Sequence, residues 1–311
     1  MQVPYRERVA AGSGAPHSSG MQKTSGPEPW NPLLLREKPL VLPAAHDALT
    51  ARLIEQAGFA AYQIGGFALV GARYGHPDID LIHLGERRAA VRDIMTGSGL
   101  PVLVDLDDGY GDVKNVTFAV RCMEAMRVSA VFIEDQRAPK KCGQLDDKEV
   151  IPADQMVAKI RAATAARSSP GAVYVIARTD ALEAEGMRKA LKRGEQYLEA
   201  GADALYVEGP RDDKELEEIG KTFKDAALAT TMMEGGGKTP WHPPSEFAEM
   251  GYSMILYPTS ILFRAARAME RAVADLRAGR RLDMKEAMSK DEFMKLVGLE
   301  YWQGVEKKFH P

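Results

Sequence analysis

Short apolar runs recur along the chain from about residue 40 onwards, and each is followed by glycine or polar residues. Each run has six or seven residues, the usual length of a β-strand. This pattern predicts eight strands. The runs are LVLPAA (40–45), AAYQIGG (60–66), PVLVDLD (101–107), SAVFIED (129–135), VYVIART (173–179), DALYVEG (203–209), AALATTM (226–232) and YSMILYP (252–258).

The runs alternate with stretches that carry apolar residues at helical spacing, as Leu49, Leu53 and Ile54 do. Strands that alternate with helices pair in parallel through right-handed crossovers. Eight such units in about 250 residues predict an α/β fold of the (β/α)8 TIM-barrel type. A doubly wound open sheet is the alternative, because alternation alone does not close a barrel. The helical stretches cover residues 47–58, 84–99, 113–126, 152–167, 186–201, 212–223 and 260–279.

The two ends of the chain differ from this repeating pattern. Residues 1–30 are rich in Gly, Ser and Pro and predict a flexible tail. Residues 31–311 are predicted to form one barrel domain with a helical extension from about residue 280. In that extension Met288, Phe293 and Leu296 recur at helical spacing. Their apolar face must be buried, and a partner subunit is the expected place.

Composition and charge exclude several classes of partner. The chain is 45% hydrophobic and 27% charged, with a net charge of −3, so no basic field favours nucleic acid or an anionic membrane. No apolar run approaches the ~20 residues of a membrane helix. The N-terminus lacks the apolar centre of a secretory signal. Two cysteines, Cys122 and Cys142, predict a reducing compartment. We therefore expect a cytoplasmic protein, with an organelle transit peptide as the weaker alternative.

Charged residues follow the third to the sixth predicted strands. They are Asp105 and Asp107, then Glu134, Arg178 and Glu208. In a barrel these strand ends form the reactive face. Carboxylates brought together there repel one another unless a hard cation such as Mg²⁺, or alternatively Mn²⁺, lies among them. Because residues two apart on a strand face the same side, we predict that Asp105, Asp107 and Glu134 hold a divalent ion.

Other polar features have simpler interpretations. A single acid after a strand is commonly a helix N-cap, which we predict for Asp112 and favour for Asp108. The GGGK stretch at 235–238 lacks the full spacing of a phosphate-binding loop and does not indicate a nucleotide site.

Six segments resemble motifs of the isocitrate lyase / phosphoenolpyruvate mutase superfamily. Their order along the chain matches the family, and the resemblance covers about residues 38 to 300. The six are specific in combination, although no single one is. They are YQIGGFALVGARYGHPD (62–78), VDLDDGYG (104–111), FIEDQRAPKKCGQ (132–144), VIARTDA (175–181), MMEGGGKTP (232–240) and ILYPTSILFRAARAM (255–269).

The resemblance carries expectations about fold and chemistry. It implies a (β/α)8 barrel whose last helix is swapped between subunits, usually in a homotetramer. It also implies a small-molecule carboxylate substrate, in which a C–C or C–P bond beside the carboxylate is made or broken through Mg²⁺-stabilised, enolate-like intermediates.

The resemblance also assigns roles to residues. Asp105, Asp107 and Glu134 would hold Mg²⁺ directly or through water. Cys142 would protonate the departing carbanion, and the flanking Lys140 and Lys141 are expected to lower the pKa of its thiol. The remaining predicted pocket residues are Gly65 and Gly66 through backbone N–H groups, Asp78 on a mobile loop, Lys140 and Gly143 beside the thiol, Arg178 as a bidentate carboxylate ligand, and Glu208 and Thr231 on the wall.

The K-K-C-G pattern belongs to the lyase branch, which acts on isocitrate, 2-methylisocitrate or 2,3-dimethylmalate. Mutases, phosphonopyruvate hydrolases and oxaloacetate decarboxylases generally lack its cysteine. This chain departs from the lyases at several positions: Ile64 replaces Ser, Gln144 replaces His and Asp108 replaces a neutral residue. Asp112 stands where Asn or Ser is common, and GGG at 235–237 has one glycine more than usual. The departures bear on the substrate and leave the predicted metal-binding acids in place.

The leading hypothesis is retro-aldol cleavage of a 2-hydroxy di- or tricarboxylate to a 2-oxo acid and a carboxylate. Tyr62 is the candidate base for the hydroxyl proton. One alternative within enzymes is an oxaloacetate decarboxylase, or a hydrolase or mutase acting on phosphonopyruvate or phosphoenolpyruvate. The other is a binding or scaffold protein that has lost catalysis, a hypothesis motivated by Ile64 and Gln144.

Overall fold

The computed structural model describes residues 28–281 and 283–310. The predicted flexible tail, residues 1–30, lies almost wholly outside them. The elements, in chain order, are α1 (Trp30–Arg36), β1 (Leu40–Pro43), α2 (Ala48–Gln56), β2 (Tyr62–Ile64), α3 (Gly66–Tyr74), α4 (Leu84–Met95), β3 (Val102–Asp105), α5 (Val113–Ala125), β4 (Ala130–Glu134), α6 (Ala153–Ala166), β5 (Tyr174–Thr179), α7 (Ala181–Glu185), α8 (Met187–Glu199), β6 (Ala204–Val207), α9 (Asp213–Thr222), β7 (Ala227–Thr231), α10 (Pro244–Glu249), β8 (Met254–Tyr257), α11 (Ser260–Arg277), α12 (Lys290–Leu296) and α13 (Leu299–Phe309).

The eight strands form one parallel sheet in the order β1-β8-β7-β6-β5-β4-β3-β2. The sheet comes round on itself where Ala44, just after β1, bridges Gln63 of β2 in parallel. The predicted (β/α)8 barrel is therefore confirmed, and the open doubly wound sheet is excluded. All eight predicted runs contain a strand.

Alternate residues of the strands point into the barrel and out towards the helices. In β4, Phe132 belongs to the inner cluster, whereas Val131 and Ile133 belong to the outer cluster beneath the helices. The inner cluster also contains Trp30 and Leu33 of α1, both almost fully buried. The opposite end of the barrel, where the strands end, carries the polar side chains.

Local sequence sets where several helices begin. The Asp47 side chain accepts a hydrogen bond from Thr50 N at 2.6 Å and caps α2, and Asp112 accepts one from Lys114 N at 2.9 Å at the start of α5. The predicted N-cap role of Asp112 is therefore confirmed. Asp108 is different, because its carboxylate accepts from Tyr110 N at 2.8 Å inside the turn before that helix.

Contacts divide the chain into two compact units. One ends at Val273 and contains the barrel, and the other includes Ala274 to the C-terminus with α12 and α13. The Ser289 hydroxyl caps α12 by accepting a hydrogen bond from Glu292 N, and Ser289 N in turn donates to the Glu292 carboxylate at 2.7 Å. Within the described residues, no helix combines the length and apolar character needed to cross a membrane.

Candidate active site

A cavity of about 50 Å³ lies at the end of the barrel where the strands end. Residues in β2 to β8 and in the segments that follow these strands form its wall, and the segment between β4 and α6 covers it. Its lining residues are Gln63, Gly65, Gly66, Phe67, Asp78, Asp105, Phe132, Glu134, Lys140, Lys141, Cys142, Gly143, Gln144, Arg178, Tyr206, Glu208, Thr231, Met233, Leu256, Pro258 and Thr259. All the predicted site residues are among them except Tyr62 and Asp107.

Asp105, the last residue of β3, is held in place by the backbone. Its two carboxylate oxygens accept hydrogen bonds from Gly66 N and Asp107 N, both at 2.9 Å. Burial raises the pKa of Asp105, and the neighbouring charge of Asp107 raises it further. The N–H group of Gly66 therefore donates its hydrogen bond to Asp105 and not, as the sequence resemblance implies, to a substrate carboxylate.

Asp107 lies beside the cavity in a turn, not on the strand. Its φ is +51°, in the left-handed region, and β3 has already ended at Asp105. The prediction that Asp105 and Asp107 share one strand face is therefore wrong. The Asp107 carboxylate binds Arg87 at 2.5 Å and Lys140 at 2.7 Å. Burial alone would raise the pKa of Asp107, but these two cations outweigh burial and hold it well below its usual range.

The three predicted metal ligands do not converge on one point. Among residues 28–281 and 283–310, no three Asp, Glu, His or Cys side chains are grouped closely enough to hold one ion. The cause is visible in the contacts, since both oxygens of Asp107 face cations. Direct binding by all three acids is therefore not supported. Asp105 and Glu134 remain as carboxylates that line the cavity.

Glu134, the last residue of β4, is the most deeply buried of these acids. Its Oε2 lies 3.1 Å from Arg178 Nη1, while its Oε1 is buried and has no hydrogen-bond partner within the described part of the chain. Burial raises the pKa of Glu134 well above its ordinary value, and Arg178 offsets this only in part. A buried carboxylate oxygen without a donor is costly unless a cation or a proton satisfies it.

Arg178 stands at the centre of the cavity wall on β5. Its Nε and Nη2 donate to the two oxygens of Asp180 at 3.0 and 2.9 Å. The guanidinium carbon also lies 5.9 Å from the ring centre of Phe132 and 5.3 Å from that of Tyr206. The bidentate contact predicted for a substrate carboxylate is thus made to Asp180, and the third nitrogen, Nη1, faces Glu134.

Cys142 lies in the segment that covers the cavity. Its backbone N–H donates to the carbonyl of Asp78 at 2.9 Å. Burial raises the pKa of the Cys142 thiol to about 12, and the charge of Asp78 adds to the effect. The prediction that Lys140 and Lys141 would lower this pKa is wrong, because the Lys140 ammonium binds Asp78 at 2.6 Å instead. At neutral pH the thiol is protonated and can donate a proton.

Tyr62 does not reach the cavity. Along β2 the side chain of Gln63 lines the cavity, so those of Tyr62 and Ile64 point outwards into the cluster beneath the helices. Tyr62 is fully buried, and burial raises its pKa far above its usual value. We therefore do not retain Tyr62 as the base. The Ile64 departure also lies outside the cavity.

Two glycines allow the backbone to approach the charged groups closely. A Cβ at Gly66 would lie 3.1 Å from oxygens of Asp105 and Asp78. A Cβ at Gly143 would lie 2.7 Å from the carboxylate carbon of Glu208 and closer still to Arg178. The segment that carries Cys142 therefore packs directly on these two side chains.

Arg87 and Lys148 are functional neighbours that the sequence did not single out. Arg87 is fully buried against Asp107, and Lys148 is buried with its ammonium 3.1 Å from Asp180. Arg87 carries a usable signal, because it lies three and four residues before Ala90 and Val91 on the apolar face of α4. A charged residue on such a face indicates an internal partner.

Comparison with known proteins supports the same family. The family model described as phosphoenolpyruvate phosphomutase matches residues 32–277. The 2,3-dimethylmalate lyase of Eubacterium barkeri is 36% identical over 283 residues, which is 89% of this chain and 96% of the relative. The 2-methylisocitrate lyase of Bacillus subtilis (strain 168) is 40% identical over 232 residues, 75% of each chain.

Solved structures agree. A phosphonopyruvate hydrolase in complex with oxalate and Mg²⁺ superposes with a TM-score of 0.79 at 29% identity, covering 90% of this chain and 99% of that chain. The family model and the two lyases each match most of the sequence. The chain therefore belongs to the isocitrate lyase / phosphoenolpyruvate mutase superfamily.

Proposed function

We propose that this chain is a Mg²⁺-dependent carbon–carbon lyase. Its substrate would be a 2-hydroxy di- or tricarboxylate of the 2-methylisocitrate, isocitrate or 2,3-dimethylmalate type, and its products a 2-oxo acid and a carboxylate. The position of Cys142 carries the proposal: a thiol that burial keeps protonated lines the same cavity as Asp105, Glu134 and Arg178. The two lyases that match most of the sequence support this choice.

The residues present fit Mg²⁺. The ion is commonly held by one or two carboxylates together with water, so it does not need three converging acids. Asp105 and Glu134 would bind it, and the unpaired Oε1 of Glu134 is the oxygen that such a charge would satisfy. Asp107 would act from behind Asp105, through water. When bound, the ion supplies Lewis acidity to the oxygens of the substrate.

The chain's own side chains supply the remaining chemistry. Arg178 presents positive charge to a substrate carboxylate in a cavity walled by Phe132 and Tyr206. Glu208, whose Oε2 is buried at the cavity without a hydrogen-bond partner in the described residues, would take the hydroxyl proton as the 2-oxo group forms. The electron pair of the breaking C–C bond passes to the carbon beside the carboxylate of the departing fragment. Sγ of Cys142 then donates its proton to that carbon. The covering segment keeps water away during the step.

A substrate panel tests the proposal. The protein is incubated with isocitrate, 2-methylisocitrate, 2,3-dimethylmalate, oxaloacetate and phosphonopyruvate, each with Mg²⁺, and products are identified by NMR. We expect a 2-oxo acid from at least one hydroxy acid, loss of turnover on chelation and recovery on adding Mg²⁺ back. Turnover of a hydroxy acid that chelation leaves intact would contradict the metal-dependent mechanism.

The second candidate function is a decarboxylase, hydrolase or mutase acting on oxaloacetate or a phosphonate. The likeness to phosphonopyruvate hydrolase favours it. The same panel separates the two. A decarboxylase or hydrolase releases pyruvate from oxaloacetate or phosphonopyruvate, a mutase converts phosphonopyruvate to phosphoenolpyruvate, and all of them leave the hydroxy acids intact. Cys142 in the cavity opposes it, since the mutases, phosphonopyruvate hydrolases and oxaloacetate decarboxylases of the family generally lack this cysteine.

We also propose that the protein is a cytoplasmic homotetramer that exchanges helices between subunits. The outer side of α11 leaves apolar side chains in solvent, with Met269 57%, Val273 65% and Leu276 77% exposed. Exposed apolar side chains of this size in one row are typical of an interface between subunits.

A further inference from the structure

The cavity is smaller than the molecule it would have to admit. It measures about 50 Å³, whereas ligand sites usually exceed ~300 Å³. A substrate therefore enters only when part of the wall moves. A candidate for this movement is the covering segment, residues 137–149 between β4 and α6, which contains no helix or strand residue and carries Cys142. What holds this segment down decides when the site is closed.

The side-chain amide of Gln144 joins the covering segment to two other parts of the barrel. Its Nε2 donates to Oε1 of Glu208, the residue that follows β6. Its Oε1 accepts a hydrogen bond from Lys238 N at 2.7 Å, in the segment that follows β7. One neutral amide thus uses its donor and its acceptor on two different segments.

The Lys238 side chain strengthens the same connection. Its ammonium donates to the carbonyl of Leu145 at 2.9 Å and lies 2.8 Å from Asp146 Oδ1. The side chain of Lys238 is only 16% exposed. The segments after β4 and β7 are therefore joined at adjacent residues by both the backbone and the side chain of Lys238.

Gly143 places Gln144 where it can make these contacts. Because a Cβ at Gly143 would overlap Arg178 and Glu208, the backbone at this point lies directly on the two side chains. The next side chain then meets Glu208 at short range. A hydrogen bond to a charged acceptor such as this carboxylate is among the stronger ones.

We propose that Gln144 is a positioning residue that locks the covering segment closed and couples its closure to the segment after β7. It acts through Glu208 and Lys238, and holds Cys142 against the cavity. The inference rests on the proposed function only for its effect on turnover. Its effect on closure stands on the contacts alone.

Chemical modification tests closure without any substrate. Gln144→Met keeps the size of the side chain and removes both hydrogen bonds. Alkylation of Cys142 by iodoacetamide is followed by mass spectrometry, with Cys122, half-buried in α5, as the reference in the same molecule. We expect Cys142 to react at least about tenfold faster in the variant, a change of about 1.4 kcal/mol in closure, with Cys122 unchanged. An unchanged Cys142 rate overturns the proposal.

Hydrogen–deuterium exchange tests the coupling between the two segments. In Gln144→Met, the amides of residues 138–147 and those of residues 235–239 should both exchange faster. Lys238→Met removes the ammonium contacts and should have the same effect, and the double variant should add little to either single one. Lys221→Met, which breaks an exposed pair with Glu217 on α9, is the matched control and should change neither segment. If the increases in exchange rate from the two single variants added fully in the double variant, Gln144 and Lys238 would not act through one shared set of contacts.

Turnover separates this inference from the proposed function. If the lyase proposal holds, Gln144→Met should lower kcat/KM by at least about tenfold. Its kcat, measured at saturating substrate, should fall by a smaller factor than kcat/KM. If no substrate of the panel turns over, the alkylation and exchange results still decide the role of Gln144. A variant with faster alkylation and unchanged turnover would contradict the positioning role.

Discussion

At the scale of single residues, the environment of Cys142 decides what its thiol can do. Burial and the charge of Asp78 raise its pKa to about 12, so it is an acid and not a thiolate nucleophile at neutral pH. We expect Cys142→Ser to cut turnover at least about a hundredfold, since a serine hydroxyl is a far weaker acid. Steady-state kinetics measures this, with circular dichroism to show that the fold is intact. Cys122→Ser is the control, and near-normal turnover of Cys142→Ser would remove it from the mechanism.

Buried cations on helices hold the acids that follow the strands. Arg87 of α4 binds Asp107, Lys159 of α6 donates to the carbonyl of Asp108 at 2.7 Å, and Arg193 of α8 lies 3.3 Å from an oxygen of Asp135. Each of these cations sits on the buried face of its helix. The acids at the rim are therefore partly balanced from behind.

Arg87 provides the sharpest test of that balance. Arg87→Met leaves the buried Asp107 carboxylate with Lys140 as its remaining cation, so we expect the free energy of unfolding to fall by about 3–5 kcal/mol. Urea unfolding at pH 7 measures it. The neighbouring Arg88 is exposed and stacks over Phe118 at 6.0 Å, and Arg88→Met should cost less than about 1 kcal/mol. Equal losses in the two variants would contradict the role of Arg87.

The sequence predicts which residues gather at the rim better than how they pair. Strand ends and family motifs are enough to place Asp105, Glu134, Arg178 and Cys142 at one cavity. The turn at Asp107 is not predictable in this way, because the strand pattern does not mark its left-handed backbone and its partner Arg87 lies on α4, before the strand. Ionic partners come from elements far apart in the chain, and no local spacing encodes them.

At the scale of elements, apolar periodicity predicts long helices and buried strands well. It misses the short helices α1, α3, α7 and α10, of which α1 and α10 begin after proline and α3 after glycine. For α3 the helix begins at Gly66, inside the run 60–66 that the pattern assigns to the second strand. Short helices derive their stability from tertiary packing more than from their own sequence.

His242 joins two such elements in a pH-dependent way. Its ring nitrogens lie 2.8 Å from Asp213, at the start of α9, and 2.7 Å from Glu246 in α10. These hydrogen bonds, first to Asp213 and then to Glu246, raise the pKa of His242. A raised pKa means that the folded chain binds the proton more tightly. The stabilisation is therefore fully present below the ordinary pKa of about 6.5 and is lost as pH rises through the folded value.

His242→Gln tests this linkage. The side chains of Asp213 and Glu246 are 58% and 50% exposed, and exposed ion pairs of this kind contribute up to about 1 kcal/mol to the free energy of unfolding. We expect the variant to be less stable than the native chain at pH 5.5 and equal to it at pH 8.5, as measured by urea unfolding at both values. A difference that is the same at both pH values would contradict the role of the protonated imidazole.

At the scale of the whole molecule, the two ends of the barrel differ: one is closed by apolar packing and the other carries the candidate active site. Trp30 and Leu33 of α1 fill one end with apolar side chains, and the other end gathers the charged cavity residues. This division is what the sequence pattern implies, because apolar residues form the strands and polar residues follow them. The outer side of α11 belongs neither to the apolar packing nor to the cavity, since its apolar side chains are in solvent.

The proposed assembly of subunits would account for the exposed apolar row on α11, and it can be tested directly. Met269, Val273 and Leu276 follow one another at helical spacing and form one apolar row, and burying such side chains in an interface would stabilise it by ~1.5–3 kcal/mol each. We expect the native chain to elute as a multiple of its 34.1 kDa mass in light-scattering chromatography, and Val273→Glu to shift it towards the monomer. Arg271→Glu, about 200° around the helix from Val273, is the matched control and should leave the assembly intact. A native monomer would contradict the proposed assembly. Dissociation by Arg271→Glu alone would place the interface on another face of α11.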